Sequence, residues 1–417
     1  MIRKSHTDTR VTRRTVTAGL STSLGAAVLA GSAPFNIVRA QAAALKVGVL
    51  LPRSGYQAGI GQQCQQGVDL AGPILKELGY PALQIMNADT ETNVQVARAQ
   101  AEKLIGEGAQ LLIGAFDSGQ STAIAQVAEQ KGIPYVINIA AAPPITEQGY
   151  KFVFRNFPTA VRILSDAFTN QKEVFAQAGM EPKTAVLLHV NDTFGTAMQK
   201  GLEAMMPKFN MPYKVIEQIA YDPAARDLSV EISKAKATGA EALLVVSRLN
   251  DAILLTRELV KQRWTPQAIL SMGPGWYEDP YLKALGKLAD DPISFVPWQD
   301  PNKPLTKKVE AAYKKAHPND SMNTNQVYTF EALMIAADAF KRAGSSDPQK
   351  LADALRTTDI KNNISVGPGI KFDAKGQNVD LANAAIQNRK GRTIVIAPKV
   401  AAEAKVVYPM TPYDKRG

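Results

Sequence analysis

Leu45-Lys46-Val47-Gly48-Val49-Leu50-Leu51 is an apolar run broken only by Lys46, and the residues after it decide the fold. Pro52-Arg53-Ser54-Gly55-Tyr56 comes next, with turn chemistry, and then an amphipathic stretch from Gln62 to Leu78. A short apolar run, a turn and a helical period read as a buried strand feeding a helix. The unit repeats. Leu83 to Asn87, Gln110 to Phe116 and Pro134 to Ile139 read as further buried strands, with helices over Val94 to Glu107 and Gln120 to Lys131. Parallel strands need long crossovers that cover both faces, so this alternation predicts a parallel α/β sheet with helices on either side.

Working outward, the pattern pauses around Phe152 to Pro158 and a second series begins with a helix over Ala160 to Ala178. Its strands are Thr184 to Val190, Tyr213 to Ala220, Ala242 to Ser247 and Ala268 to Ser271, separated by helices over Thr196 to Pro207, Leu228 to Thr238 and Asp251 to Gln262. A duplicated layout of this size predicts two similar doubly wound lobes. After Phe295-Val296-Pro297-Trp298, helices over Leu305 to Ala316 and Asn325 to Ala343 read as a return to the first lobe. The expected division is 43–157 plus 298–383 for lobe 1 and 158–297 plus 384–417 for lobe 2. In the tail, Gly367-Pro368 to Gln377-Asn378 favours tight turns, and Ala384 to Gln387 and Thr393 to Ile396 read as short strands.

Upstream of Leu45 the chain reads as an address. Arg3, Lys4, Arg10 and the pair Arg13-Arg14 precede an uncharged run from Thr15 to Val38 rich in Ala, Gly, Ser and Thr, and Ala40-Gln41-Ala42 offers small residues to a signal peptidase. Residues 1–42 are therefore expected to be a twin-arginine signal, handled by the Tat translocase and signal peptidase and cut after Ala42, although Val16 and Thr17 stand where that motif prefers Phe and Leu. The run is too weakly apolar to be expected as a lasting anchor. The segment carries six Lys/Arg and one Asp, half of the formal charge of +10. With it set aside, nothing in charge or in basic and aromatic interleaving supports a nucleic-acid partner.

Enzymatic and metal signatures are not found. The histidines are His6, His189 and His317, too scattered for a metal cluster or a triad, and no HExxH, CxxC, GxSxG or GxxxxGK[ST] occurs. Gly59-Ile60-Gly61 has Cys64 where a dinucleotide fingerprint needs its third glycine. Cys64, the lone cysteine, forms no intrachain disulfide and reads as a buried or idle thiol. No cofactor is expected. What remains are polar residues at predicted strand ends, where ligands sit in open α/β sheets: Arg53 to Tyr56, Asp117-Ser118-Gly119-Gln120-Ser121, Ile139 to Pro143, and Ser247-Arg248-Leu249-Asn250-Asp251.

Val47 to Pro52 with Gly55, Ile113-Gly114 to Ser118, Gly132-Ile133-Pro134, Thr146 to Tyr150, Phe154-Arg155, Asn191 to Gly195, Arg226 to Ser229 and Gly367-Pro368 to Gln377 run in one order over nearly all of residues 45–390. In that order they resemble the leucine/isoleucine/valine-binding protein family. The resemblance implies the type I periplasmic binding fold, two α/β lobes with a ligand cleft between them that close by hinge motion. It also implies a monomeric periplasmic solute-binding protein delivering a small molecule to the permease of an ABC importer. By the same resemblance, Ser118 and backbone groups of Ala140 to Ala142 hold a ligand carboxylate, and a hydroxyl beside helix N–H groups suits an anion. The plainer reading of Ser118 is a helix N-cap.

The chain departs from the amino-acid binders of that family. They commonly place an acidic residue in the loop matching Met272 to Trp276, where this chain has Gly275, and Ala141 replaces a threonine. Arg248 and Arg53 instead stand in cleft loops, and an arginine favours a carboxylate. The expected ligand is therefore a small carboxylate, an amino acid or an aromatic or other organic acid. Asp117, Gly119, Tyr56, Trp276 and Tyr328 complete the candidate set, with Tyr277 and Phe116 as further walls and Asp117, Asp251 or Glu278 open as ammonium partners. Asp192 and Phe194 read as cap and turn residues, and His189 as a structural strand residue. A ligand-sensing module for a receptor is the alternative function, and a periplasmic enzyme the third.

Overall fold

The computed structural model describes residues 44–399 and 402–416. The twin-arginine segment and its cut after Ala42 lie outside the described residues. The first sheet is wound from β1 (Leu45–Leu51), α1 (Ala58–Glu77), β2 (Leu83–Asp89), α2 (Val94–Gly106), β3 (Leu111–Gly114), α3 (Ser118–Lys131), β4 (Tyr135–Ile137) and β5 (Val153–Arg155). Its strands lie in the order β2-β1-β3-β4-β5 and pair in parallel throughout.

The second sheet is wound from α4 (Ala160–Ala178), β6 (Thr184–Val190), α5 (Thr193–Phe209), β7 (Lys214–Tyr221), α6 (Ser229–Ala237), β8 (Ala242–Val246), α7 (Leu249–Lys261), β9 (Ala268–Ser271), α8 (Asp279–Leu285) and β10 (Ile293–Pro297). The chain continues through α9 (Pro304–Ala316), α10 (Thr324–Ala343), α11 (Pro348–Arg356), the hairpin β11 (Asp359–Ile360) and β12 (Ile370–Lys371), then β13 (Asn383–Arg389) and β14 (Arg392–Ala397). The order is β14-β13-β10-β9-β8-β6-β7, so β6 to β10 repeat the winding of β1 to β5. β13 and β14 add an antiparallel edge. α10 packs on α1 beside the first sheet and α4 against β10 and β13 of the second, so the chain crosses between the two units more than once.

Local chemistry explains these elements. The β-branched and leucine runs of β1 and β8 are buried almost without exception, as strands covered on both faces must be. Asn93, Asp117, Thr159 and Asp192 each accept from a backbone N–H in the first turn of α2, α3, α4 and α5, and Gly132 ends α3 at φ 64°. The helix after β1 starts at Ala58, one turn before the Gln62 expected, because Thr92 Oγ1 accepts from Gln57 N–H and closes the preceding turn. β5, α8 and α11 were not expected from the sequence, and Phe295-Val296-Pro297 lie within strand β10.

Gly61 stands inside α1, where a Cβ would lie 2.0 Å from the Pro52 carbonyl oxygen. Its role is close helix–strand packing. Cys64 is fully buried on the same helix, and burial pushes its thiol up to about 12.

Candidate functional site

In an open α/β sheet the strand order reverses at a switch point, and loops leaving the strands there open a crevice. Here the reversals fall between β1 and β3 and between β6 and β8. A cavity is lined by the loops after these and neighbouring strands. Phe116, Ser118, Ile139, Ala140 and Ala141 come from the first sheet, and Phe194, Arg248 and Met272-Gly273-Pro274 from the second. Phe157, Ile163, Tyr277, Val296, Pro297, Thr324 and Asn325 complete the wall.

The polar end of the first-sheet wall sits at the start of α3. Asp117, with Oδ1 accepting from Gly119 N–H at 2.9 Å and Gln120 N–H at 3.0 Å, is the N-cap. The capping role considered for Ser118 therefore belongs to its neighbour, and the Ser118 hydroxyl faces the cavity, 3.4 Å from Ala142 N. Asn138 ties the adjoining loops together. Its Oδ1 accepts from Phe116 N–H at 3.1 Å and Ile139 N–H at 2.8 Å, while Nδ2 donates to Thr329 Oγ1. Phe116 is held at φ 74°, a left-handed conformation rare for an aromatic residue.

Arg248 is placed differently from the expectation. It lines the cavity, but its Nη2 donates to Asp117 Oδ2 at 3.1 Å and its Nη1 lies 2.6 Å from Asp192 Oδ2. Asp251 accepts from Arg248 N–H and from the Tyr221 hydroxyl. Burial alone would lower the Arg248 pKa, and Asp192, Asp117 and Asp251 outweigh it and hold it above the usual arginine range. An arginine already shared by acids is not free to grip a ligand carboxylate with its fork. The ring of Phe194 lies 5.2 Å from its guanidinium carbon.

Other candidates part company. Arg53 and Gly119 do not line the cavity, and Arg53 sits in a turn whose amides, with those of Ser54, are bound by Asp89 Oδ1. Tyr56 is 39% exposed and lines a smaller adjoining pocket with Gln57, Asn250 and Asp251, in which Arg248 also takes part. Burial, with Asp117 nearby, pushes its hydroxyl up to about 12. Trp276 turns into the core, donating from Nε1 to Ser247 Oγ at 2.7 Å and packing on Tyr281. Tyr328 is fully buried beneath Phe157, edge to face at 5.0 Å. Phe116 and Tyr277 do line the cavity.

None of the possible ammonium partners reaches that wall. Both oxygens of Asp117 are engaged, Asp251 caps α7, and Glu278 is buried against Gln63, which donates to its Oε2 at 2.9 Å. No Asp or Glu lines the cavity among the described residues. Gly275 has φ 106°, and a Cβ there would lie 2.5 Å from the Arg248 carbonyl oxygen, so the loop excludes a side chain at that position.

Several residues were not singled out as site residues in the sequence. Phe194 and Phe157 are cavity walls, and Asp192 joins its expected capping role to an ion pair. Arg155, fully buried, binds the carbonyls of Ala140 at 3.1 Å and Ala142 at 2.7 Å. An arginine followed by Asn156 at a strand end was the available signal. His189, in strand β6, places its ring Nδ1 3.2 Å from the backbone oxygen of Val190 and does not line the cavity. Among the described residues no group of His, Cys, Asp and Glu is arranged to hold a metal ion, and no helix is long and apolar enough to cross a membrane.

Residues 44–391 match the family described as periplasmic binding protein. Leu/Ile/Val-binding protein homolog 7 of Brucella suis biovar 1 is 26% identical over 400 residues, spanning 92% of this chain and 97% of that one. The leucine binding protein LivK of Thermotoga maritima superposes with a TM-score of 0.73 at 22% identity, over 85% of this chain and 98% of that chain. An ABC transporter solute binding protein of R. palustris, solved in complex with benzoate, gives 0.73 at 20% identity, over 87% and 99%. LivJ of Streptococcus pneumoniae, solved with isoleucine, gives 0.70 at 17% identity, over 85% and 100%. At these identities the structural likenesses speak to fold.

Proposed function

The chain belongs to the periplasmic binding protein family, and from that premise we propose that it captures a small apolar carboxylate, with an aromatic acid as the best fit, for delivery to an ABC importer. One observation carries the reading. The cavity pairs a hydroxyl and backbone wall at Ser118, Ala140 and Ala141 with Phe116, Phe157, Phe194 and Tyr277, and among the described residues offers no carboxylate to an ammonium group. A buried ammonium without a counter-charge is costly, whereas a carboxylate at the α3 N-terminus meets a hydroxyl and the positive end of the helix. In this reading residues 1–42 direct Tat export, the two α/β units are the lobes that close on the ligand, and Arg248 helps hold them closed. The benzoate-bound protein of R. palustris, similar in fold, is consistent with such a ligand.

The second reading is a branched-chain amino acid, favoured by the Leu/Ile/Val-binding relatives and the isoleucine-bound LivJ. Thermal shift and isothermal titration of the protein against benzoate, phenylacetate, L-leucine and L-isoleucine separate the two, since a ligand of the folded state alone raises the melting temperature. Binding of the arene carboxylates with silence from the amino acids is expected. The reverse pattern replaces the proposal with the second reading.

A further inference from the structure

Arg155 ends β5 and is fully buried. Its guanidinium makes four hydrogen bonds, all to neutral acceptors: Nε to Gln377 Oε1 at 2.6 Å, Nη1 to the carbonyls of Ala140 and Ala142, and Nη2 to Thr146 Oγ1 at 2.7 Å. No carboxylate lies within ion-pairing distance among the described residues. The acids that act on it, Glu147 and Asp373, are both exposed, where water screens them. Burial draws its pKa down to about 9, so it stays charged at neutral pH. A buried cation without a counter-ion is destabilising unless something supplies the missing charge.

Of the groups that Arg155 grips, Ala140 belongs to the cavity wall. Ala140 and Ala141 line the cavity, and the Ala140 carbonyl is turned away toward Nη1. A trans peptide sets its N–H opposite its carbonyl, so the same peptide unit directs the Ala141 N–H to the other side. That N–H makes no hydrogen bond among the described residues. Arg248, by contrast, already has two paired acids and a third beside it. The cation lacking a partner lies behind the Ala140–Ala142 loop.

We propose that Arg155 is a positioning residue whose charge is balanced by the ligand's carboxylate, the interaction passing through the Ala140–Ala142 backbone without direct contact. The inference rests on the carboxylate site proposed above. It makes the acid group of the ligand the counter-ion of the fold's one buried arginine that lacks an acid among the described residues.

The test compares an acid with its neutral isostere, benzoate against benzamide, by isothermal titration. Arg155→Met removes the charge but can prevent folding, so the deciding pair is Thr146→Asp and Thr146→Asn. The first places an internal carboxylate against Nη2, and the second is the same shape without charge. Thr146→Asp is expected to lower the benzoate-to-benzamide affinity ratio at least about tenfold relative to Thr146→Asn, because the arginine then has its counter-ion within the protein. A loop-holding role alone shifts both ligands equally in both variants, and equal ratios overturn the inference. If the wild-type protein binds L-leucine and not benzoate, the arene-carboxylate proposal has failed independently, and the ratio is read with L-leucine against L-leucinamide.

Discussion

Arg248 Nη2 and Asp117 Oδ2 stand 3.1 Å apart, joining the N-terminus of α7 on one sheet to the N-terminus of α3 on the other. Both side chains are buried, and Asp192 braces the arginine from its own sheet. The pair spans the cavity rim as a latch.

Replacing Arg248 by Ala strands the buried Asp117 charge, leaves the partly exposed Asp192 without its partner and removes the link between sheets. Truncating one member of a buried pair costs about 3 to 5 kcal/mol. Ligand affinity should fall by roughly two to four orders of magnitude, and by the same factor for an acid and its amide, because in the proposed reading the pair holds the lobes closed and does not touch the ligand charge. Titration calorimetry measures both factors, and small-angle scattering of the ligand-saturated variant should show a larger radius of gyration than wild type. Loss confined to the acid would instead make Arg248 a direct carboxylate ligand.

Ser118→Ala separates cap from contact. Asp117 caps α3, so the loss of apo stability should not exceed that of the one long hydrogen bond from Ala142 N–H to the Ser118 hydroxyl, about 1 kcal/mol. A hydrogen bond to a charged group is worth about 1.5 to 3 kcal/mol, so carboxylate affinity should drop about tenfold to a hundredfold. Urea unfolding checks the first statement and titration the second. A destabilised apo protein with unaltered affinity would return Ser118 to a structural role.

Gly275→Glu places an acid where amino-acid binders of the resembling family commonly carry one. At φ 106°, with the Arg248 carbonyl 2.5 Å from the new Cβ, the substitution should destabilise the fold by about 2 kcal/mol or more. It should also confer no leucine affinity, since the side chain cannot be accommodated without displacing the α7 N-terminus. A stable variant that binds leucine tightly would show that the loop rearranges freely.

The winding of both sheets was legible in the sequence because strands such as Leu45–Leu51 and Ala242–Val246 are covered on both faces and read as unbroken apolar runs. β5 and the antiparallel pairing of β13 with β10 were not, since Val153-Phe154-Arg155 ends on a charged residue and reads as a pause, and pairing direction leaves no local trace. Ser118, Ala140 and Ala141, expected at strand-end loops, line the cavity, because such loops are identifiable from order along the chain. Arg248 was located but misassigned: its partners Asp117 and Asp192 lie 131 and 56 positions away, and spacing does not reveal who neutralises whom. Trp276 and Tyr328 were misplaced for a related reason, as an aromatic residue near a loop reads alike whether it turns to the cavity or, like Trp276 to Ser247, into the core.

Glu278 gives the stability a pH dependence of predictable sign. It is fully buried, with Oε2 bound by Gln63 Nε2. Burial pushes its carboxyl from the ordinary 4.5 up to about 7, and hydrogen bonds from Gln63, the Gly275 amide and Asn325 offset only part of that, while Asp279 adds to it. Cys64 and Tyr277 beside it are neutral, their own pKa values raised by burial, so no cation opposes the shift. Because the folded-state pKa exceeds the unfolded one, the native protein keeps a proton between pH 4.5 and 7 that the unfolded chain has released. The contribution of this group to stability is therefore complete below about pH 4.5, declines as pH rises, and is lost above about 7, for a total on the order of 3 kcal/mol. Glu278→Gln keeps the Gln63 contact and removes the titration. Urea unfolding of both proteins at pH 4.5, 6 and 8 should show the variant gaining on wild type steadily as pH rises, with the largest difference at pH 8. Parallel profiles for the two proteins would mean that Glu278 titrates as an ordinary carboxylate.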